Sequence, residues 1–272
     1  MGSFLVDDLK IDFDKVIDDV VEFIQETVRD KDVLIGLSGG LDSSVTAVLL
    51  VKALNPKKVH GLIMPTSFTP TEDVEDAKWL AEYLKIDYKL IQIDSIVKSY
   101  AESVELSLDD PKYKMSFGNL RARIRMSLLY FYANITDGLV AGTGDKSEIL
   151  IGYYTKYGDG GVDFLPIAHL YKTQLRELGA YLGLPKRIYS KPAAPRLYPG
   201  HVAIDEIPVD YSKLDLLLYN IFDRGLGIVE ASERAGLPVD IAVWVSKRYH
   251  STEHKRKMPP SLLKIKYTPP IV

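Results

Sequence analysis

VLIGLSGGLDSS, residues 33–44, turns abruptly from an apolar run to two glycines flanked by serines and an aspartate. A short continuous apolar run such as VLIGL suits a strand covered on both faces. The following LDSSVTAVLLVKAL repeats apolar residues at Leu41, Val45, Val48 and Leu49, the spacing of a helix. Strand, glycine turn and helix therefore follow one another. A helix that starts here leaves its first N–H groups without intrahelical partners and concentrates partial positive charge, so an anion is the natural ligand. Gly39 and Gly40 permit close approach of a phosphate, and Ser38 and Ser43 can add hydroxyls. Asp42 would repel that phosphate unless a cation lies between them, and Mg²⁺ is usually held by one or two carboxylates plus substrate phosphates. The stretch is neither GxxxxGK[ST] nor GxGxxG, which argues against an ordinary P-loop and a standard dinucleotide fold. A glycine turn with a Ser and Asp cap is the plain alternative, and it is weakened by the position after the first strand.

Outward from this turn the pattern repeats. IDFDKVIDDVVEFIQETV places Phe13, Val16, Val20, Phe23, Ile24 and Val28 on one helical face. VHGLIM (59–64), YKLIQID (88–94) and LVAGT read as strands; TEDVEDAKWLAEYL (71–84), SIVKSYAESVEL and SFGNLRARIRMSLLYFYAN (116–134) read as helices. In the last of these, Phe117, Leu120, Ile124, Leu128 and Phe131 form the expected core stripe. This alternation predicts an α/β fold with a doubly wound, mostly parallel sheet and helices on both faces. SGGLDS, MPTS and GTGDKSE would then gather beyond the carboxyl ends of the strands, where such sheets bind ligands. Segments 151–170 and 186–212, rich in Gly, Pro, Asp and Tyr, are expected as long ordered loops around that edge, and without repeats or a linker the whole of 1–272 reads as one domain.

Composition excludes several classes. The 272 residues are 46% hydrophobic with a formal net charge of -3, which gives no global electrostatic case for nucleic acid or an anionic membrane. There is no cysteine, so this chain can form no disulfide, Cys-ligated metal site or thiol nucleophile. No apolar run approaches a bilayer span, and the start MGSFLVDDLKIDFDK lacks a cationic region before an apolar core, so a cytoplasmic location is expected.

SGGLDS also matches the SGGxDS pyrophosphate loop of the ATP pyrophosphatases, which adenylate a substrate and release pyrophosphate. GTGDKSEILIGYYTKYGDGGVDFLPIAHLYKTQLRELGAYLGLP (142–185), with GNLRARIRM upstream and KPAAPRL and HKRKMPP downstream, resembles the ammonia-dependent NAD synthetases over nearly the whole chain. That resemblance implies a Rossmann-like ATP pyrophosphatase fold and the amidation of deamido-NAD by ammonia, with ATP cleaved to AMP and pyrophosphate. It assigns ATP contacts to Gly36, Leu37, Ser38, Gly39, Gly40, Leu41, Asp42, Ser43, Thr143 and Lys172, and Mg²⁺ to Asp42 and Glu148. Asp42, Glu148 and Lys172 are the implied catalytic set. Arg123, Lys156, Asp163, His254 and Lys255 are the implied deamido-NAD contacts, and a homodimer through the N-terminal helix and helix 116–134 is expected. The family usually has Ser or Thr where Ala194 stands, so the ATP contact there lacks a hydroxyl in this chain.

Taken alone, several of these residues have plainer readings. Glu148 would be a surface acid and Thr143 a strand-end cap. Lys172, off the stripe Tyr171, Leu175, Leu178 and Leu182, would face solvent. Arg123 beside Arg121 and Arg125 would be a salt-bridged surface, and HKRKMPP a mobile basic tail. Glutamine-hydrolysing relatives need a domain with a nucleophilic Cys, so free ammonia, or ammonia from a separate protein, is the expected nitrogen source. The competing functions are another ATP pyrophosphatase, tRNA-modifying or sulfur-transferring, and a nucleotide sensor without catalysis.

Overall fold

Alternate residues of the first strand, β1 (Val33–Gly36), enter different parts of the core: Val33 and Ile35 join one apolar cluster and Leu34 another. This is the period of two expected of a strand covered on both faces. The structure, a computed structural model, describes residues 7–203 and 206–262. Its sheet contains β1, β2 (Val59–Ile63), β3 (Asp87–Leu90) and β4 (Leu139–Ala141), in the order β3-β2-β1-β4 and with every pair parallel.

One face is covered by α1 (Phe13–Val28), α2 (Leu41–Ala53) and α3 (Thr71–Leu84), whose buried residues join Val33, Ile35, Val59 and Ile63. On the other face, α4 (Asp94–Ser103) and α5 (Lys114–Thr136) pack against Leu62 and Leu34. The chain leaves β1 for β2 on one side and returns to β4 on the other, so the switch point of the sheet lies between β1 and β4.

After β4 come α6 (Lys146–Ile151), α7 (Lys172–Tyr181) and α8 (Lys186–Tyr189), then α9 (Tyr211–Leu218), α10 (Ile228–Ala235), α11 (Val239–Ser251) and α12 (Glu253–Arg256). Leu214, Leu217, Ala231 and Val245 form a second apolar cluster with Ile151 and Tyr171. Leu175 and Leu178 of α7 belong to the first cluster, so the segment around α7 joins the two.

Two expected core positions are corrected. Phe23 is 42% exposed and Phe131 59% exposed, each at the margin of a helical stripe wider than its contact with the sheet. β3 is also shorter than the apolar run suggested. It is the edge strand, and the chain is already helical from Asp94. Among the described residues no helix is long and apolar enough to cross a membrane.

Candidate active site

The turn between β1 and α2 owes its shape to Gly39, whose φ of +72° lies in the left-handed region. The loop closes on itself through its serines. The Ser38 amide donates to Ser43 Oγ at 3.2 Å, and the Gly40 amide donates to Ser38 Oγ at 3.2 Å. Ser43 and Ser44 both donate to the Gly40 carbonyl. The first intrahelical amide to reach back is that of Ser44, so the amides of Leu41, Asp42 and Ser43 lie in the unpaired first turn.

This turn opens into a cavity of about 570 Å³, a volume in the range of small-molecule sites. Gly36, Leu37, Ser38, Gly40, Leu41, Asp42 and Ser43 line it, as do Thr143, Glu148, Lys172, Ala194 and Lys255. Gly39 is turned toward α3 instead. Arg123, Lys156, Asp163 and His254 are also absent from the lining. Three of these gather beside it: Arg123 donates to the Lys156 carbonyl at 3.3 Å, and the Lys156 ammonium lies 3.5 Å from His254 Nδ1. Asp163 accepts from the Val140 amide at 2.7 Å and the Tyr130 hydroxyl at 3.1 Å, which ties it to β4. Lys255 donates to the carbonyls of Gly152 and Tyr154. Ala194 has only its main chain and a methyl group to offer a ligand.

The chemical centre forms where the ends of β1 and β4 meet α7. Lys172 Nζ lies 2.8 Å from Asp42 Oδ1, 2.8 Å from Asp145 Oδ2 and 2.9 Å from Glu148 Oε1. The solvent-facing reading of Lys172 is thus corrected: its side chain is 2% exposed, because three carboxylates supply the partners a buried ammonium needs. Burial alone would lower the Lys172 pKa, but Asp145, Asp42 and Glu148 together hold it well above the ordinary lysine range. Burial raises Glu148 well above the carboxylate range, Lys172 opposes that shift, and Asp145 and Asp42 add to it. One ammonium facing three carboxyl groups leaves surplus acceptor capacity and surplus negative charge.

That surplus fits a hard cation. Asp42 and Glu148 both reach the same ammonium and both line the cavity, so their oxygens converge on one region. Among the described residues no set of three His, Cys, Asp or Glu side chains forms a ready-made metal cage. Two carboxylates that share a cation with substrate phosphates is the mode in which Mg²⁺ is commonly held.

Sequence reasoning missed Asp145 and Lys191. Asp145 caps α6 by accepting the Glu148 amide at 2.8 Å, and the D-x-x-E spacing in GTGDKSE is a cap signal that could have exposed it. Lys191, the first residue of KPAAPRL, donates to the Gly39 carbonyl at 2.8 Å, Asp73 at 2.9 Å and Asp76 at 2.8 Å. No local pattern announces that role.

A parallel sheet whose first strand delivers a glycine loop to the switch point, beside a lysine bridging three carboxylates, has the form of an α/β nucleotide-binding enzyme, and the loop sequence SGGLDS resembles that of the ATP pyrophosphatases. The NAD synthase family model matches residues 16–259. An NH(3)-dependent NAD(+) synthetase from Hyperthermus butylicus is 50% identical over 257 residues, 93% of this chain and 92% of its own length. Among solved structures, NMN synthetase from Francisella tularensis superposes with a TM-score of 0.79 at 30% identity, over 95% of this chain and all of that one. NH3-dependent NAD synthetase from Campylobacter jejuni gives a TM-score of 0.77 at 33% identity, over 93% of this chain and 100% of that one. The chain belongs to the NAD synthase family.

Proposed function

We infer that this protein amidates deamido-NAD with ammonia at the expense of ATP, giving NAD, AMP and pyrophosphate. The observation that carries this reading is the convergence of Asp42, Glu148 and Lys172 on one point of the cavity, beside the first turn of α2. The nicotinate carboxylate of deamido-NAD attacks the α-phosphorus of ATP; the new O–P bond forms as the bond to pyrophosphate breaks. Ammonia then attacks the acyl carbon, a C–N bond forms, and AMP leaves with the carboxylate oxygen while nitrogen loses a proton. The first-turn amides of α2 and the Lys172 ammonium stabilise the charge that develops on pyrophosphate. Mg²⁺ held by Asp42 and Glu148 would neutralise the phosphate chain. The cavity aligns carboxylate and phosphate, so most of the protein's work is positioning.

Pure protein incubated with Mg-ATP, deamido-NAD and ammonium is expected to yield NAD, AMP and pyrophosphate in equal amounts. Glutamine in place of ammonium yields none, because the chain has no cysteine to hydrolyse it. Omission of the divalent cation stops the reaction. An arm with deamido-NMN checks the acceptor, and preference for that mononucleotide would overturn the dinucleotide assignment.

Arg123, Lys156 and His254 form the basic patch we assign to deamido-NAD, with Asp163 and Lys255 completing the set. Support comes from their neighbours in sequence: Ala122, Thr155 and Lys255 all line the cavity, so the patch adjoins its rim. Arg123→Ala is expected to raise KM for deamido-NAD about tenfold, as loss of a hydrogen bond to a charged group does, and to leave KM for ATP within about twofold. Equal changes in both would count against the assignment.

We also propose one catalytic domain that acts as a homodimer. Phe131 (59% exposed) and Ile135 (64%) on α5, with Phe23 on α1, are the apolar side chains that support this interface. Sedimentation at micromolar concentration should give twice the chain mass, and a monomer alone would refute it. Because ATP is a substrate we place the enzyme in the cytoplasm; fractionation with membranes would contradict that.

A further inference from the structure

Glu148 and Lys172 stand near the starts of two separate helices, α6 and α7, and their separation depends on how those two starts are joined. α7 carries only part of a cap of its own: the Gln174 side chain accepts the Tyr171 amide at 2.9 Å, and the amides of Lys172 and Thr173 are left to other partners. Its N-cap residue is Tyr171, whose hydroxyl is engaged with Asp223, and no side chain of that residue reaches the helix amides. The missing caps come from elsewhere. The Lys172 amide donates to Ser147 Oγ of α6 at 3.0 Å, and the Thr173 amide donates to Asp215 Oδ2 of α9 at 2.8 Å. Ser147 in turn donates its hydroxyl to Asp215 Oδ1 at 2.6 Å, and the Thr173 hydroxyl donates to Oδ2 at 2.8 Å. All three side chains are buried.

We propose that Asp215 is a positioning residue for the amidation reaction inferred above: a helix cap lent by α9 that locks Ser147 to the first turn of α7 and so sets Glu148 against Lys172. Each atom that reaches Asp215 is a donor. Ser147 oxygen already accepts the Lys172 amide, so its hydrogen is what it has left to give, and Thr173 contributes both N–H and O–H. A carboxylate accepts from all three; an amide of the same shape must turn an NH₂ group toward one of them. Burial, with the charge of Asp145 added, raises the Asp215 carboxyl to about 7 even though the donors from Ser147 and Thr173 pull against that shift. Holding a carboxylate in that setting is costly, and simple packing would be served as well by an apolar residue of similar volume. The geometry gives the charge a reason. Asp215 does not line the cavity and its hydrogen bonds go to Ser147 and Thr173, so it reaches the site through Ser147 and the start of α7, with the charge of Asp145 nearby.

The test uses Asp215→Asn and Ser147→Ala, with steady-state rates of NAD formation from Mg-ATP, deamido-NAD and ammonium beside thermal unfolding. Ser147→Ala removes the link to the Lys172 amide and leaves Asp215 its Thr173 partners, so it serves if Asp215→Asn does not fold. The expected result is a fall in kcat of about 10- to 100-fold in either variant, the size of a displacement of about an ångström in a catalytic group. KM for deamido-NAD stays within about threefold, because that substrate's contacts lie elsewhere. The double variant should be no slower than the worse single one, since both cut the same chain of bonds. A merely structural role would lower the unfolding temperature and leave kcat per folded site unchanged; kcat within threefold of wild type in both single variants overturns the proposal. Wild-type protein run alongside separates the two readings: if it makes no NAD, the amidation reading itself has failed, whereas active wild type with fully active variants sinks only the positioning role.

Discussion

Lys172→Met slows NAD formation at saturating substrates by about 10³-fold, the loss expected when a preorganised cationic donor to a developing oxyanion is removed. It also lowers folding stability by about 3–5 kcal/mol, the cost of leaving buried charges without their partner. Both effects follow from the same three distances. The ammonium lies within 2.9 Å of Asp42, Asp145 and Glu148, and Asp145 is fully buried, so no water replaces the lost cation there. Methionine keeps the length and apolar bulk of the stem, which separates loss of charge from loss of packing. Lys172→Arg should recover little, because a planar fork cannot direct three donors from one point. Urea unfolding measures the stability change, and AMP release with and without ammonium measures the chemistry. Retention of more than a tenth of wild-type kcat in a folded Lys172→Met protein would remove Lys172 from the catalytic set. Stability unchanged by the substitution would mean that the carboxylates take up protons and need no ammonium, a tendency already visible in the raised pKa of Glu148.

Lys172 also marks the boundary of what the sequence discloses. The sheet was legible because it rests on local signals: the run VLIGL, the glycine turn, and strands alternating with helices each act within a dozen residues. The glycine loop was legible because its signal lies in six consecutive residues. Lys172 was different, since helical periodicity placed it off the apolar stripe and its three partners, Asp42, Asp145 and Glu148, are distant in sequence. The family resemblance supplied its role; only the fold shows that it is buried. Asp145 carried no more than a cap signal and Asp215 none, because an acid at a helix start and an acid in a helix are both ordinary surface features. Their roles come from which helix start each one caps. Phe23 and Phe131 erred the other way: periodicity measures the width of a stripe, while burial depends on the width of what it meets.

Gly39→Ala is expected to weaken Mg-ATP binding at least about 100-fold and to destabilise the fold, through the addition of one methyl group. The left-handed backbone at φ +72° accounts for about 1–2 kcal/mol of the stability loss with any L-residue. The larger part is steric. A Cβ at this position would stand 2.0 Å from the Asp73 carbonyl oxygen and 2.8 Å from its carbonyl carbon, and neither is the tip of a side chain that could swing aside. Relief requires the backbone of the loop to part from the first turn of α3. Lys191 resists that parting, because one ammonium holds both the Gly39 carbonyl and the Asp73 and Asp76 carboxylates. Strain therefore passes into the loop, where the first-turn amides of α2 must keep their aim at phosphate. Gly40→Ala is the control: with φ of -91° and its nearest neighbour, Ser38 Oγ, at 3.2 Å, it meets only a movable side chain. Titration calorimetry with Mg-ATP alone separates the two, with binding nearly lost in Gly39→Ala and reduced no more than about tenfold in Gly40→Ala. Equal losses in both would show that the loop needs any two glycines for flexibility; loss confined to Gly39 shows that it needs one fixed turn, pressed against α3 so closely that no side chain fits between.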